Sequence, residues 1–246
     1  MSKTYVIGDL HGRYDLLQMA LSEIGKRVHS GRTPATVIML GDYVDRGLAS
    51  RQIIELLMDG IGTIKLICLK GNHEEIMYET CRKPLDPNWW LGNGGGQTLM
   101  SYGHSARGPI DLSVVSDVHL DWIGKLPYMH VDKHRVYVHA GVDASRPLAD
   151  QVEAFTGSLW ERTRLVTWWR YGDTEQGGHG NYHVLHGHTP YKEGPMRYQG
   201  RTNLDTYAWR TGRLVVGVFD DDTPGGPVGL IEVIGKPFDQ LVIDGE

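Results

Sequence analysis

Short apolar runs end abruptly in polar, glycine-containing turns at five places along the 246 residues of the chain. Each run has the length of a buried β-strand, and each turn carries Asp, Asn or His. The runs are residues 5–7, 37–40, 64–69, 136–138 and 184–185. A strand that stops in such a turn presents its next side chains at the carboxyl edge of a sheet, where open α/β folds place their ligand sites. The pattern therefore predicts one site assembled from five strand ends.

The segments between the first three of these runs have apolar residues at the spacing of an α-helix. Apolar residues recur at helical intervals from Leu16 to Ile24, and Ser50 is a candidate N-cap for a second helix that ends near Gly60. Residues 74–126 are typical of mostly helical structure. The alternation of strand, loop and helix predicts right-handed βαβ units and a largely parallel first sheet.

Short strands dominate the chain after Tyr128. They are predicted at 128–131, 135–139, 183–186, about 214–219 and 229–233, and a second sheet built from them would pack on the first. No internal repeat and no break in composition marks a boundary, so the sequence predicts a single α/β domain over residues 1–246. Residues 171–182 form either a solvated connection or a mobile loop over the site, and residues 220–227 are predicted to be a hairpin loop.

Composition narrows the possible partners and compartment. The formal net charge of −5 supplies no general attraction to nucleic acid or membranes, and basic residues form no long run. No stretch approaches the roughly 18–20 unbroken apolar residues of a membrane span. The first strand begins so close to the first residue that no room is left for a signal peptide, so we expect a cytoplasmic protein. Cys68 and Cys81 fit reduced structural thiols better than a disulfide.

The polar residues at the strand ends are carboxylates, imidazoles and one amide, without a thiolate. These ligand types suit Mn²⁺, Fe, Zn²⁺ or Mg²⁺ rather than a cysteine-bound structural zinc. Asp9 and His11 fall on one side of a strand end, because side chains alternate with a period of two. Asp42 is the candidate bridge, since a carboxylate has two oxygens and can bind two ions. The strand ends therefore predict a polynuclear metal site.

Five motifs in chain order carry a resemblance to a known family. They are Gly-Asp-Leu-His-Gly at 8–12, Gly-Asp-Tyr-Val-Asp-Arg-Gly at 41–47, Gly-Asn-His-Glu at 71–74, His-Ala-Gly at 139–141 and Gly-His-Thr at 187–189. This series resembles the signature of calcineurin-like metallophosphoesterases, and its longer second and third motifs are similar to the bacterial and phage members of the phosphoprotein phosphatase branch. The resemblance implies two mixed β-sheets packed as a sandwich and flanked by helices. It also implies a binuclear centre, with Asp9, His11 and Asp42 on one ion and Asp42, Asn72, His139 and His188 on the other.

Residues close to these ligands in the sequence are candidates for catalysis and for phosphate binding. His73 lies one residue past a ligand and is the candidate general acid, with Asp45 placed to hold its ring as imidazolium. Arg46 and Arg162 are expected to grip phosphoryl oxygens, with Asn72 as a further phosphate contact. For Arg162 the support is the resemblance of residues 159–162 to a Trp-x-Arg segment of bacterial protein phosphatases, and a surface salt bridge is the alternative.

Two other roles stay open at this point. Asp45 and Arg46 form either a structural ion pair or part of the catalytic site. Glu74 supports Asn72 or caps the following helix, and is not expected to be a catalytic base. In one place the chain departs from the family pattern, because Tyr207 stands where glycine is expected after Asp-Thr, which leaves the geometry of that turn open.

The resemblance implies a binuclear-metal phosphomonoesterase, of the serine/threonine protein phosphatase type, that acts by attack of a metal-bridging hydroxide. Two divalent ions are expected, with Mn²⁺ favoured and Fe, Zn²⁺ or Ni²⁺ as alternatives. The substrate would be a phosphorylated protein or a small phosphoester. A dinucleoside-polyphosphate hydrolase or a phosphodiesterase is the enzymatic alternative, and a non-catalytic binding module is the alternative from another class.

Overall fold

A computed structural model describes residues 2–31, 34–153, 167 and 177–243 of the chain. Within these residues, ten strands form two five-stranded sheets. Arg162 and the surrounding residues 159–162 lie outside the described residues, as do residues 171–176 of the predicted loop. No helix in the described part of the chain is both long enough and apolar enough to cross a membrane.

The first sheet combines three parallel strands with an antiparallel hairpin. Its strands are β1 (Lys3–Ile7), β2 (Ala35–Met39), β3 (Lys65–Cys68), β9 (Arg213–Asp220) and β10 (Gly229–Ile234), in the order β10-β9-β1-β2-β3. The prediction that put the last two strands in the second sheet was wrong, since β9 pairs antiparallel with β1. The apolar residues of β9 and the alternation in β10 predict strands but do not say which sheet supplies the partner.

The second sheet is also mixed. Its strands are β4 (Met129–Val131), β5 (Arg135–Val138), β6 (His183–His186), β7 (Met196–Arg197) and β8 (Arg201–Asn203), in the order β4-β5-β6-β8-β7. Strands β5, β6 and β8 are parallel, and β4 and β7 are antiparallel edge strands. The short strands β7 and β8 were not predicted, because two- and three-residue strands carry too little periodicity to detect.

The two sheets pack face to face, and the alternation along each strand decides which side chain enters which layer. Tyr5 and Ile7 point into the large core under the helices, whereas Val6 between them points into the layer between the sheets. Ile38 from β2 shares that layer with Leu185 from β6. The predicted sandwich of two mixed sheets is confirmed.

Helices cover the outer face of the first sheet. The helices of the described part of the chain are α1 (Tyr14–Gly31), α2 (Ser50–Asp59), α3 (Asn72–Arg82), α4 (Asn88–Trp90), α5 (Gly96–Ser101), α6 (Asp117–Lys125), α7 (Asp150–Glu153), α8 (Ala208–Thr211) and α9 (Phe238–Ile243), with a π-helical turn at Leu91–Gly95 and a 3₁₀ turn at Leu112–Val114. Of these, α7 contacts the loop after β5 through Gln151. Helix α2 ends at Asp59 with Gly60 as its C-cap, which agrees with the predicted end near Gly60, but its N-cap is Ala49 and not Ser50. The Ser50 hydroxyl instead accepts the backbone N–H of Asp45 at 3.1 Å, so it stabilises the loop before the helix.

The hairpin loop after β9 is held by a buried arginine. Arg135, from the second sheet, donates from Nη2 to the carbonyl oxygens of Asp220 and Thr223, and from Nε to that of Gly225. The guanidinium therefore satisfies the inward-facing carbonyls of the loop and ties the two sheets together at this end.

Candidate metal centre

Turns from both sheets meet at one edge of the sandwich. Asp9, Asp42 and Asn72 follow the parallel strands β1, β2 and β3. His139 directly follows β5, and His188 lies two residues beyond β6, which is parallel to β5. Because parallel strands end on the same side of their sheet, the fold brings together side chains that are up to 179 residues apart in the sequence.

Asp42 lies at the middle of this cluster, and its two carboxylate oxygens face different imidazoles. Oδ2 lies 3.4 Å from His11 Nε2 and 4.0 Å from His73 Nε2, whereas Oδ1 lies 3.3 Å from His139 Nε2. Potential ligand atoms of His11, Asp42 and His73 lie within 4.8 Å of one another, and so do those of Asp42, His139 and His188. The carboxylate that was predicted as a bridge is therefore the residue that the two groups share.

Backbone carbonyls set the orientation of two of these imidazoles. His11 donates from Nδ1 to the carbonyl oxygen of Val44 at 2.9 Å, and His139 donates from Nδ1 to that of Leu40 at 3.0 Å. Each ring is thereby held with Nε2 towards Asp42. This pairing of a backbone acceptor with an inward ring nitrogen is the arrangement that metal-binding histidines use.

Asn72 joins the second group through its side-chain oxygen. That oxygen lies 2.9 Å from His139 Nε2 and 3.0 Å from His188 Nδ1. The three side chains predicted to complete one ion site are therefore in mutual contact, with an amide oxygen between two ring nitrogens.

The charges inside the cluster favour an ionised Asp42 and a neutral His11. Burial alone would raise the pKa of Asp42, but the imidazoles of His139 and His73 hold that pKa well below its usual range. Burial, reinforced by the Arg46 guanidinium, lowers the pKa of His11 well below 6.5. Burial opposes protonation of His139, yet the Asp42 carboxylate raises the pKa of His139 to about 9, so a cation binding at Nε2 must displace a proton there.

Asp9 enters the site through the backbone of the other sheet. Its two oxygens accept the N–H of His188 at 3.1 and 3.2 Å, and the residue is buried. Asp9 belongs to neither of the two groups described above, so its role as a ligand stays a prediction.

A further buried carboxylate, Asp205, lies in this region and was not predicted as a site residue. Burial raises the pKa of Asp205 to about 6, and burial followed by the charge of Asp205 raises the pKa of Asp9 well above its usual range. The sequence contains only a weak signal for it. A polar residue, Asp205, follows just beyond strand β8, but β8 is not an apolar run and no glycine stands beside Asp205, so the pattern of the other five motifs does not extend to it.

His73 is held by a fully buried carboxylate. Its Nδ1 lies 2.7 Å from Oδ2 of Asp45. Trp90 Nε1 donates to both Asp45 oxygens at 3.0 and 3.1 Å, and the Thr98 hydroxyl donates to Oδ1 at 2.8 Å. Both carboxylate oxygens of Asp45 therefore accept hydrogen bonds, and the His73 ring is fixed with Nε2 on the side of Asp42.

Glu74 joins the two loops that carry Asp42 and Asn72. Its carboxylate accepts the backbone N–H groups of Asp42, Tyr43 and Val44, at 2.7 to 3.2 Å, and that of Gly71 at 2.9 Å. The contact with Gly71 caps α3, which is one of the two roles predicted for Glu74. The three contacts to the preceding loop were not predicted, because they depend on where the backbone N–H groups of that loop point.

Arg46 contacts imidazoles and not Asp45. Its Nη1 lies 2.7 Å from His11 Nε2, and its Nη2 lies 3.0 Å from His73 Nε2. A cation on His11 Nε2 and the hydrogen bond from Arg46 exclude each other, because both require the same lone pair. The second predicted phosphate-binding arginine, Arg162, lies outside the described residues.

Unusual backbone conformations are concentrated around this cluster. Every described non-glycine residue with positive φ lies in one of its loops, namely His11, Asp42, Asp45, Arg46, His188 and Tyr207. Tyr207 has φ 58°, so the turn keeps the conformation that glycine favours although a tyrosine occupies it. A side chain at Gly71 would overlap the Asp42 carboxylate, which explains the glycine there.

The residues present fit divalent cations. In the described part of the chain, the convergent ligand atoms are carboxylate oxygen and imidazole nitrogen, with an amide oxygen in contact and no thiolate. Such a set suits hard to borderline divalent ions. Cys68 and Cys81 are outside both groups, and burial raises the pKa of each thiol to about 12.

Comparison with known proteins gives matches over most of the chain. The model of the family described as calcineurin-like phosphoesterase matches residues 2–217. Serine/threonine-protein phosphatase 1 of Salmonella typhimurium is 27% identical over 214 residues, which cover 86% of this chain and 89% of that protein. A symmetrical bis(5′-nucleosyl)-tetraphosphatase of Dechloromonas aromatica is 28% identical over 61% of this chain and 50% of its own length. The crystal structure of a metallophosphoesterase from Sphaerobacter thermophilus covers 99% of this chain with a TM-score of 0.59 and 16% identity, and 94% of that chain is covered.

Proposed function

The chain belongs to the calcineurin-like phosphoesterase family, and we propose that within it this protein is a phosphomonoesterase of the serine/threonine protein phosphatase type. The observation that carries the proposal is the Asp42 carboxylate shared by two groups of imidazoles. Serine/threonine protein phosphatases match about 85% of the chain, which also supports the prediction of one catalytic unit.

Two divalent ions are the proposed cofactors, with Mn²⁺ favoured. His11, Asp42 and Asp9 would hold one ion, and Asp42, Asn72, His139 and His188 would hold the other. When bound, such a pair supplies Lewis acidity at phosphorus and lowers the pKa of a nearby water molecule. The ionised state of Asp42 and the neutral state of His11 support this assignment.

Arg46 is the proposed clamp for the transferred phosphoryl group, together with Asn72 and Arg162. Its two terminal nitrogens already lie side by side against His11 and His73, so they can turn as a fork onto two phosphoryl oxygens. A bidentate contact to a phosphate dianion is stronger than two contacts to neutral imidazoles. Substrate binding is therefore expected to draw Arg46 away from both rings.

This movement also gives His73 its proposed role as general acid. While Arg46 donates to Nε2, that nitrogen must be unprotonated. Once the guanidinium has moved onto the phosphate, Nε2 can carry a proton, because Asp45 accepts from Nδ1 and stabilises the imidazolium. The proton is then placed to reach the oxygen of the departing alcohol.

A nucleotide hydrolase is the second candidate. The observation that favours it is the match to the bis(5′-nucleosyl)-tetraphosphatase of Dechloromonas aromatica, which covers a smaller share of both chains than the match to the protein phosphatase of Salmonella typhimurium. Both candidates would use the same metal and phosphate contacts, so the shape of the cleft around the leaving group must separate them.

A substrate panel tests the proposal. The purified protein, loaded with Mn²⁺, is assayed on a phosphoserine peptide, para-nitrophenyl phosphate, its diester and diadenosine tetraphosphate, and each assay is repeated with a chelator. We expect the monoesters to be hydrolysed fastest and every rate to vanish with the chelator. Faster hydrolysis of the tetraphosphate or the diester would overturn the assignment, and hydrolysis that survives chelation would overturn the metal dependence. Parallel loading with Fe, Zn²⁺ and Ni²⁺ tests the choice of Mn²⁺.

A further inference from the structure

Tyr207 shares an unusual backbone conformation with the site residues, but the mechanism proposed above gives it no role. Among the described residues, positive φ in a non-glycine residue otherwise occurs only in predicted site residues, namely His11, Asp42, Asp45, Arg46 and His188. Tyr207 has φ 58°, a conformation that is strained for tyrosine and unstrained for glycine. Because such strain is concentrated at functional sites, we expect the Tyr207 side chain to make a functional contact.

Tyr207 is the N-cap of α8, and hydrogen bonds hold its backbone on both sides. Its N–H donates to Oδ1 of the buried Asp205 at 2.8 Å. Its carbonyl oxygen accepts the N–H groups of Arg210 and Thr211, at 3.0 Å each. These bonds fix the left-handed conformation and therefore the direction in which the side chain leaves the backbone.

This conformation brings the ring of Tyr207 against the ring of Trp209. The two rings meet edge to face, at an interplanar angle of 89° and with ring centres 5.4 Å apart. In a regular helix, side chains two positions apart do not face each other. The contact therefore depends on the left-handed backbone at Tyr207, and an edge-to-face pair is the arrangement that aromatic rings prefer.

Other contacts hold Trp209 as well. Phe238 meets its ring edge to face, with ring centres 5.6 Å apart. Buried Arg13, from the loop after β1, donates from Nη1 to the carbonyl oxygens of Ala208 and Trp209 at 3.3 and 3.1 Å. The short helix α8 is thereby tied to the loop that carries His11, and Trp209 is held by two rings and by its own backbone.

The face of Trp209 receives the guanidinium of Arg46. The Cζ atom of Arg46 lies 5.5 Å from the centre of the Trp209 ring, while its terminal nitrogens lie against His11 and His73. The attraction between a guanidinium and an aromatic face uses no N–H donor. The nitrogens of Arg46 can therefore turn onto phosphoryl oxygens while the contact with Trp209 persists.

We propose that Tyr207 is a positioning residue for phosphate binding, because its ring holds Trp209 in the orientation at which the indole face receives the guanidinium of Arg46. Trp209 then directs Arg46 to the phosphoryl oxygens, and Tyr207 itself does not touch the substrate. The proposal rests on the proposed role of Arg46 as the phosphate clamp. It assigns a function to the tyrosine that stands where the family pattern has glycine.

Three variants of Tyr207 separate the ring from the backbone. Tyr207→Gly and Tyr207→Asn remove the ring with residues that tolerate φ 58°, and Tyr207→Phe keeps the ring. Tyr102→Ala is the control, because Tyr102 packs on a different ring, His119, and faces a different arginine, Arg51. The readout is the dissociation constant of inorganic phosphate for the Mn²⁺-loaded protein, measured by calorimetry, together with Tm.

Tyr207→Gly and Tyr207→Asn are expected to weaken phosphate binding about three- to tenfold, the loss that corresponds to one aromatic or cation–π contact. Tyr207→Phe should retain the affinity of the unaltered protein, and so should Tyr102→Ala. An unchanged phosphate affinity in Tyr207→Gly overturns the proposal, with or without a fall in Tm, and so does an equal loss in Tyr102→Ala. A loss in Tyr207→Phe as large as that in Tyr207→Gly would assign the effect to the hydroxyl and overturn the role of the ring.

A double-mutant cycle shows whether Tyr207 acts through Arg46. Arg46→Ala removes the clamp, so Tyr207→Gly should cause no further loss of phosphate affinity in that background. Trp209→Leu, which removes the face between the two residues, should weaken phosphate binding as Tyr207→Gly does and should likewise add nothing to Arg46→Ala. Additive losses in the double variants would mean that Tyr207 affects phosphate by another route, which overturns the proposal.

The same set of proteins separates this proposal from the proposed function. If the unaltered protein hydrolyses no phosphomonoester, the phosphomonoesterase function itself fails. If it does, but Arg46→Ala binds phosphate as tightly as the unaltered protein, the clamp fails. If Arg46→Ala weakens phosphate binding and Tyr207→Gly does not, only the role of Tyr207 fails. Metal content is measured for each variant by elemental analysis, so that all affinities refer to the same metal-loaded state.

Discussion

Replacing Asp45 by asparagine tests the proposed role of His73 most directly. The carboxylate of Asp45 accepts from three side chains, namely His73 Nδ1, Trp90 Nε1 and the Thr98 hydroxyl. An asparagine has the same shape but only one acceptor oxygen, and its NH₂ group must face at least one of these donors. If the NH₂ group faces His73, the ring must accept at Nδ1 and therefore carry its proton on Nε2, which then faces Arg46 as donor to donor.

The substitution is expected to lower both the stability of the protein and its turnover. A buried donor left without an acceptor costs about 1–3 kcal/mol, which for a chain of this length corresponds to a fall in Tm of roughly 2–12 °C. The loss of a correctly held general acid is worth about 10²–10⁴-fold in turnover. That second loss applies only where the leaving oxygen needs a proton, so it should be large for a serine ester and below about tenfold for para-nitrophenyl phosphate, whose leaving group is weakly basic.

The assay compares kcat for the two substrates in the unaltered protein, in Asp45→Asn and in a control. Thr98→Val is the matched control, because it removes one donor to Asp45 without contacting His73. Thr98→Val should lower Tm but leave the ratio of the two kcat values unchanged. Metal content is measured for each variant by elemental analysis, and we expect no change, since Asp45 lies in neither convergent group.

Equal losses of kcat for the serine ester and the nitrophenyl ester in Asp45→Asn would refute the reasoning. Such a result would mean that His73 acts in a step shared by both substrates, as a metal ligand would. The proximity of His73 Nε2 to Asp42 at 4.0 Å makes that alternative a concrete one, and loss of bound metal in Asp45→Asn would identify it.

Three further predictions follow from the same contacts. Asp42→Asn should leave at most one metal ion per chain, because the shared carboxylate is weakened towards both groups; two ions by elemental analysis would contradict the bridge. Cys68 and Cys81, whose pKa values burial raises to about 12, should react with a thiol reagent at pH 8 at least about a hundredfold more slowly in the native protein than in urea, and equal rates would contradict their burial. Burial, followed by the charge of Arg135, lowers the pKa of His183 from 6.5 to about 4, so the stability from its neutral form is complete above pH 6.5 and is lost as the pH falls towards 4, by about 3 kcal/mol in all. His183→Asn should flatten this part of the curve of unfolding free energy against pH, and an unchanged slope would contradict the assignment.

The sequence predicts the parts of the fold that depend on local pattern. The strand ends before Asp9, Asp42 and Asn72 were predicted because an apolar run, a glycine and a polar residue follow one another within a few positions. The convergence of His139 with His188 follows from one further assumption, that their strands are parallel neighbours, and β5 and β6 are paired in this way. Family, sandwich architecture and metal-dependent phosphatase chemistry are confirmed on this basis.

Several contacts between residues distant in sequence were not predicted. The alternation in residues 229–234 fits an edge strand of either sheet, and only pairing with β9 places it in the first. Glu74 was expected to act within its own helix, but three of its four contacts go to the loop after β2. The contact between Arg46 and Trp209 joins residues 163 positions apart, and no periodicity connects them.

Backbone strain shows that several site residues are not the residues that would give the most stable fold. His11, Asp42, Asp45 and Arg46 all have positive φ, a conformation that costs roughly 1–3 kcal/mol for each non-glycine residue. The surroundings hold it in place: the carbonyl oxygen of Asp42 accepts the N–H groups of Leu10 and His11 at 3.0 and 2.8 Å. Glycine at these positions would relieve the strain but would remove a carboxylate, an imidazole or the guanidinium. Stability and function therefore favour different residues here, and the presence of charged side chains in a conformation that suits glycine is itself an argument that these loops serve chemistry and not folding.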